Sequence, residues 1–173
     1  TRGTNYGGVL GVYGTFNMYG GTIKDGIAEQ IGGNVFVDSA GTFNMYGGTI
    51  SSNNATNTAT TANVGCGGGG YISGDSGSAV VNMTGGTISG NTSANYGGGV
   101  YVFGGTFNMS GGNIRNNHAT TYAGGGICTN GNAIVKVTGG SITGNTSKSG
   151  GAIVIQAATD EVLLQDVSIT GNS

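Results

Sequence analysis

The chain has no proline, no tryptophan, two cysteines, one histidine, and only five Lys and Arg against seven Asp and Glu in 173 residues. Each scarcity excludes something. Five basic residues cannot neutralise a phosphate backbone, so nucleic-acid binding is excluded. No apolar run approaches the ~20 residues of a membrane-spanning helix, so this segment is not expected to insert into a bilayer. Without proline, and without glycine at every third position, the chain is not collagen. Two cysteines do not make a zinc site without further ligands, and no metal or cofactor is expected. What is abundant is glycine, at 40 residues, with 22 Thr, 19 Asn and 14 Ser. Together these make up more than half the chain and are poor interior helix formers.

Such a composition permits disorder, but the periodicity decides against it. Gly-Thr-Phe-Asn-Met-Tyr-Gly-Gly-Thr-Ile occurs at residues 14–23 and again at 41–50. Degenerate copies start at Ala79, Gly105 and Ala133, and a worn sixth starts at Asp160. The starts lie 27, 38, 26, 28 and 27 residues apart. Each copy leads to a polar turn, such as Ser89-Gly90-Asn91 or Thr143-Gly144-Asn145. A glycine cluster then feeds a short apolar run, such as Gly97-Gly98-Gly99-Val100-Tyr101-Val102. The interval of 38 reflects one insertion in the polar stretch 53–64 and the loop around Asp75.

Aligned by the repeat, the sequence resolves into columns. Phe16, Phe43, Val81, Phe107, Val135 and Val162 form one. Met18, Met45, Met83, Met109, Val137 and Leu164 form the next, and Ile23, Ile50, Ile88, Ile114, Ile142 and Ile169 a third. Between the first two runs a mostly polar column, from Asn17 and Asn44 to Lys136. Alternation with period two marks strands with one buried face. Three strands and three turns per repeat make one coil of a solenoid, with identical residues stacked about 4.8 Å apart. The expected fold is all-β: a single right-handed parallel β-helix over residues 1–173, of about six coils of 26–28 residues with one longer coil. Such coils bury their apolar faces against one another. Asn91, Asn117 and Asn145, recurring in the turn, are expected to stack as a hydrogen-bonded amide ladder. Cys66 and Cys128 fall two coils apart, beyond the reach of a disulfide, and are expected to be free thiols.

Candidate sites are few. Gly74-Asp75-Ser76-Gly77 matches the tetrapeptide around a trypsin-like nucleophile, but with His118 as the sole histidine it reads as a loop turn. Asp25, Asp38 and Asp75 are the only acidic cluster that polysaccharide cleavage could draw on, since that chemistry needs paired carboxylates. Tyr19 and Tyr46 share one outward column and Tyr101 sits in another, offering flat faces on which sugar rings stack. Thr22, Thr49 and Thr87 begin a hydroxyl column that suggests ordered water, but it decays to Asn113, Ser141 and Ser168. The insertion, residues 53–78 with Asn53, Asn54, Asn57, Asp75 and Ser76, is the expected binding loop, because loops inserted into solenoids carry variation and recognition.

The tiled Gly-Gly-Thr-Ile, Ser-Gly-Asn and Gly-Gly-Gly-Val units resemble β-helix repeats of adhesin-like and autotransporter-like surface proteins of bacteria and archaea. Gly150-Gly151-Ala152-Ile153 is similar to the tetrapeptide of the chlamydial polymorphic outer-membrane proteins. The resemblance implies an extracellular, surface-displayed rod without catalytic residues. Its expected partners are a host, matrix or cell-surface glycan or protein. The segment is expected either to belong to a longer array or to be a subunit that stacks end to end into a filament. A polysaccharide-binding or polysaccharide-degrading β-helix and an ice-binding protein are the remaining alternatives.

Overall fold

The computed structural model describes residues 2–3, 7–30, 32–59, 64–74 and 78–173. These residues form a parallel β-solenoid, or β-helix, of about six coils, with no helix among them. Each coil contributes one strand to each of four six-stranded parallel sheets. The first sheet runs through Leu10–Val12, Val35–Val37, Gly70–Ser73, Val100–Phe103, Ile127–Asn130 and Ile153–Ile155. The second holds Thr15–Met18, Thr42–Met45, Val80–Met83, Thr106–Met109, Ile134–Val137 and Glu161–Leu164. The third holds Thr22–Lys24, Thr49–Ser51, Thr87–Ser89, Asn113–Arg115, Ser141–Thr143 and Ser168–Thr170. The fourth holds Arg2–Gly3, Ile27–Ala28, Asn54–Ala55, Thr92–Ser93, His118–Ala123 and Thr146–Ser149. The sequence periodicity predicts three strands per coil, and the fourth sheet is the difference. Most of its strands are only two residues long, and its inward side chains are small (Ala28, Ala55, Ser93, Ala119), so it leaves no apolar signature.

The columns pair in register. Phe16, Phe43, Val81, Phe107, Val135 and Val162 are successive partners, as are the Met residues beside them and the Ile residues of the third sheet. In the middle coils they form one dry core with Val35, Val37, Val100 and Ile127. In the last coil the same columns are open, with Leu164 at 45% and Ile169 at 38% exposure.

Two corners of the coil are fixed in length and two are not. From the second sheet to the third the step is seven residues in every coil, as from Thr42 to Thr49 and from Thr87 back to Val80. From the third to the fourth it is five, as from Thr49 to Asn54 and from Asn113 to His118. From the fourth to the first it ranges from seven, Thr146 to Ile153, to sixteen, Asn54 to Gly70.

The constant corners have identifiable locks. Gly48, Gly86, Gly112 and Gly140 adopt φ of 89°, 85°, 89° and 84°. A side chain is disfavoured there, and a Cβ would also lie 2.5–2.7 Å from the terminal methyl of Met18, Met45, Met83 or Met109 in the preceding coil. The repeated Met of one coil and the second turn glycine of the next coil are therefore one device, a thioether tail running under a left-handed turn.

The other lock is the buried asparagine ladder. Asn91 Nδ2 donates to Asn117 Oδ1 at 2.9 Å and to the Ile50 carbonyl at 3.1 Å. Its Oδ1 accepts from Asn53 Nδ2 at 2.7 Å and from the Asn53 backbone N–H at 3.2 Å. The pattern repeats through Asn117 and Asn145 to Asn172. Each central amide thus uses both donors and both acceptor positions without water, which is what burial demands. A second ladder, Asn17, Asn44, Asn82 and Asn108, runs along the outside of the second sheet at 2.8–2.9 Å.

The buried ladder misses a rung at its first coil, where Gly26 occupies the asparagine position and its backbone N–H donates to Asn53 Oδ1. Asn34 explains the gap. A Cβ on Gly26 would collide with Asn34 Oδ1. In later coils the place of Asn34 is taken by Gly69, Gly99 and Gly126, each against a ladder amide. Two residue types have exchanged positions, and neither amide atom of buried Asn34 has a partner among the described residues. Gly26→Asn alone is therefore expected to destabilise. Gly26→Asn combined with Asn34→Gly is expected to exceed the wild type by about 1–2 kcal/mol, since a buried orphan amide becomes a ladder rung. Urea midpoints of the two singles and the double check this, and simple additivity would contradict it.

Candidate functional site

The two variable corners flank the first sheet, and that sheet differs chemically from the others. Its strands are apolar on both faces. The inner side chains join the core, and the outer ones, with Cys66 from the corner before Gly70–Ser73, form a second cluster of Phe36, Tyr71, Tyr101, Cys66 and Cys128, edged by Tyr96, Phe103 and Val154. Ring centroids step along it from Phe36 to Tyr71 at 6.0 Å and from Tyr71 to Tyr101 at 5.3 Å. Tyr96 lies 6.1 Å from Tyr101 and stacks on Tyr122 at 4.9 Å and 14°. Tyr101 lies on the outer face of the sheet as expected, but it is fully buried there, which corrects the expectation that it offers a face to a glycan. Tyr71, Tyr96 and Phe103 pack around its ring, and Asn130 Nδ2 donates to its hydroxyl at 3.3 Å.

Cys66 and Cys128 are free and buried in this layer. Burial pushes the Cys66 thiol up to about 12. The Cys128 thiol is raised as well, first by burial and then by Cys66 and Asp160. The Tyr101 hydroxyl is raised by burial first and by Cys66 second. A thiol raised in the folded state stays neutral while its unfolded counterpart ionises. Its contribution is therefore complete below about pH 9 and is lost as pH climbs toward about 12, at up to about 1.4 kcal/mol per pH unit for each thiol. We expect the urea midpoint to fall between about pH 9 and pH 11, and the double variant Cys66→Ala, Cys128→Val to flatten that fall. Parallel profiles for variant and wild type would contradict it.

The longest step lies between Asn54–Ala55 of the fourth sheet and Gly70–Ser73 of the first, within the insertion. Buried Asn95 ties down its base, with Nδ2 2.9–3.2 Å from the carbonyls of Asn57, Ala59 and Val64. Of the expected binding-loop residues, Asn53 does not belong to the loop: it is a buried rung of the amide ladder. Its Ser51-Ser52-Asn53 turn stands where Ser89-Gly90-Asn91 stands one coil later. Asn54 is exposed at the start of a fourth-sheet strand, and Asn57 is half-buried with its Oδ1 accepting from the Ala59 N–H at 2.9 Å. Asp75 and Ser76 lie outside the described residues, as does the pairing of Asp38 with Asp75.

Sequence reasoning missed a cleft beside this insertion. It has a volume of about 210 Å³ and is lined by Asn54, Thr56, Thr58, Thr92, Ala94, Thr120 and Thr121. Thr120 and Thr121 come from a register break: Ala119 pairs with Ser147 and Ala123 with Ser149, leaving extra residues bulged between. The threonines are scattered in sequence, so no motif marks them.

Elsewhere, Tyr19 and Tyr46 are exposed and stacked at 4.8 Å and 10°. Thr22, Thr49, Thr87, Asn113, Ser141 and Ser168 form an in-register outward column of the third sheet. Lys24 and Arg115 interrupt the hydroxyls of the neighbouring column. His118 is exposed, its Nδ1 2.7 Å from Thr146 Oγ1. Asp160 organises a corner by accepting from Thr129 Oγ1 and from the N–H groups of Ala133 and Ala157. Among the described residues no three His, Cys, Asp or Glu side chains gather as a metal site.

Compared with protein families, with curated proteins and with solved structures, the chain shows no match.

Proposed function

We propose that the chain is a stiff structural and adhesive segment of an extracellular surface protein, a rod that displays loops to a host, matrix or cell-surface partner. One observation carries this reading. All the variation in coil length lies at the two corners flanking the first sheet, while the other two corners keep steps of seven and five residues throughout. A scaffold that absorbs a 38-residue coil without loss of register suits loop display. Loops on a rigid frame are where recognition concentrates.

The test is adhesion of beads coated with the purified chain to cell layers and to matrix-coated surfaces under flow. Coated beads should be retained above blank beads, and a variant lacking residues 58–63 should lose most of that retention. Retention equal to blanks on every surface would contradict the adhesive reading.

A further inference from the structure

We propose that the threonine-lined cleft is a binding subsite for one ring of a neutral saccharide. The proposal rests on the adhesive reading and names its ligand class. The lining holds no charged side chain, so no opposite charge there favours a carboxylate, sulfate or phosphate over a neutral ligand. Five of its seven residues are threonines, drawn from three successive coils. A threonine hydroxyl donates and accepts, which matches sugar hydroxyls that do the same. Its methyl, with Ala94, adds small apolar contacts for the C–H face of a ring.

Hydrogen-bonding capacity is left over. Thr56 Oγ1 donates to the Ala28 carbonyl at 3.3 Å. The hydroxyls of Thr58, Thr92, Thr120 and Thr121 have no side-chain hydrogen bond among the described residues. The walls are held rigidly. Asn95 clamps three carbonyls of the insertion behind Thr56 and Thr58. The bulge that presents Thr120 and Thr121 departs from an otherwise regular ladder, and bulges of this kind re-aim side chains at functional positions. The volume of about 210 Å³ is below the ~300–1,000 Å³ that encloses a drug-sized ligand. The cleft therefore takes one sugar unit, and useful avidity comes from many rods binding together.

The experiment is an array of neutral and acidic glycans probed with wild type, Thr92→Val, Thr121→Val and, at an exposed second-sheet position away from the cleft, Lys136→Ala, displayed densely on beads. Thermal midpoints serve as a folding control. Wild type should bind a subset of neutral glycans. Each Thr→Val change should weaken that binding at least tenfold at an unchanged midpoint, and Lys136→Ala should leave it intact. Binding unmoved by the Thr variants, or binding confined to acidic glycans, overturns the cleft assignment and leaves adhesion standing. No glycan bound, with beads still retained on a protein matrix, overturns the cleft alone. Loss in both assays overturns both.

Discussion

Asn117→Ala is expected to cost the rod about 3–6 kcal/mol, and Asn82→Ala less than about 1 kcal/mol, although both remove one amide from an asparagine ladder. The difference is burial. Asn117 is fully buried. Its Oδ1 accepts from the Asn91 backbone N–H and from Asn91 Nδ2, and its own Nδ2 donates to the Ile88 carbonyl and to Asn145 Oδ1. Truncation leaves two donors of Asn91 and one acceptor without partners where water does not reach, at about 1–3 kcal/mol for each. Asn82 is half-exposed, so water replaces its bonds to Asn44 and Asn108. Asn117→Asp adds a signed test. A carboxylate would face Asn145 Oδ1 and the Ile88 carbonyl, both acceptors. It is tolerated best when protonated, so that variant should regain stability as pH falls. Chemical denaturation of the four proteins measures this, and equal losses for Asn117→Ala and Asn82→Ala would contradict it.

Gly98→Ala carries the second large effect, from sterics alone. Its φ is not in the left-handed region, yet a Cβ there would lie 2.5 Å from the Gly125 carbonyl oxygen and 2.5–2.6 Å from the His118 backbone. All three obstacles are main chain, belonging to a fourth-sheet strand and to the next coil. Relief requires prising coils apart, so the loss should reach or pass the top of the ~1–3 kcal/mol range for overpacking. Two controls separate causes. Gly90 has φ of 62° and an empty surrounding, so Gly90→Ala should cost about 1–2 kcal/mol from conformation alone. Gly20 has neither strain nor a neighbour within 4 Å, so Gly20→Ala should be neutral or stabilising by up to about 1 kcal/mol. Thermal midpoints in any order other than Gly20→Ala highest and Gly98→Ala lowest would refute the packing account.

The columns were legible in the sequence because a solenoid repeats one environment at a fixed interval. Phe43, Met45 and Ile50 announce their strands by alternation, and Asn91, Asn117 and Asn145 announce their turn by recurrence. Legibility failed where that regularity was broken or shared. The long coil hid the rung at Asn53, because Ser52 replaces the turn glycine and the insertion begins just beyond. Tyr101 lies in a strand apolar on both faces, where period two gives no sign of which side meets water. The fourth sheet buries alanine and serine, which carry no hydrophobic pattern. The cleft draws Thr56, Thr92 and Thr121 from three coils, and only folding brings them together. Asn34 is a rung in sequence type but not in position, and its meaning depends on Gly26.

A dry amide ladder locks the coils of the solenoid in register and leaves the two corners beside the first sheet free to vary in length. Side-chain amide hydrogen exchange of the unmutated protein, followed by NMR, tests this most directly. The Nδ2 protons of Asn91, Asn117 and Asn145 should exchange only through global opening, orders of magnitude more slowly than those of Asn17 and Asn44 on the outer ladder. Comparable exchange rates for the two sets would mean that the inner ladder is wet and that register is held by something else.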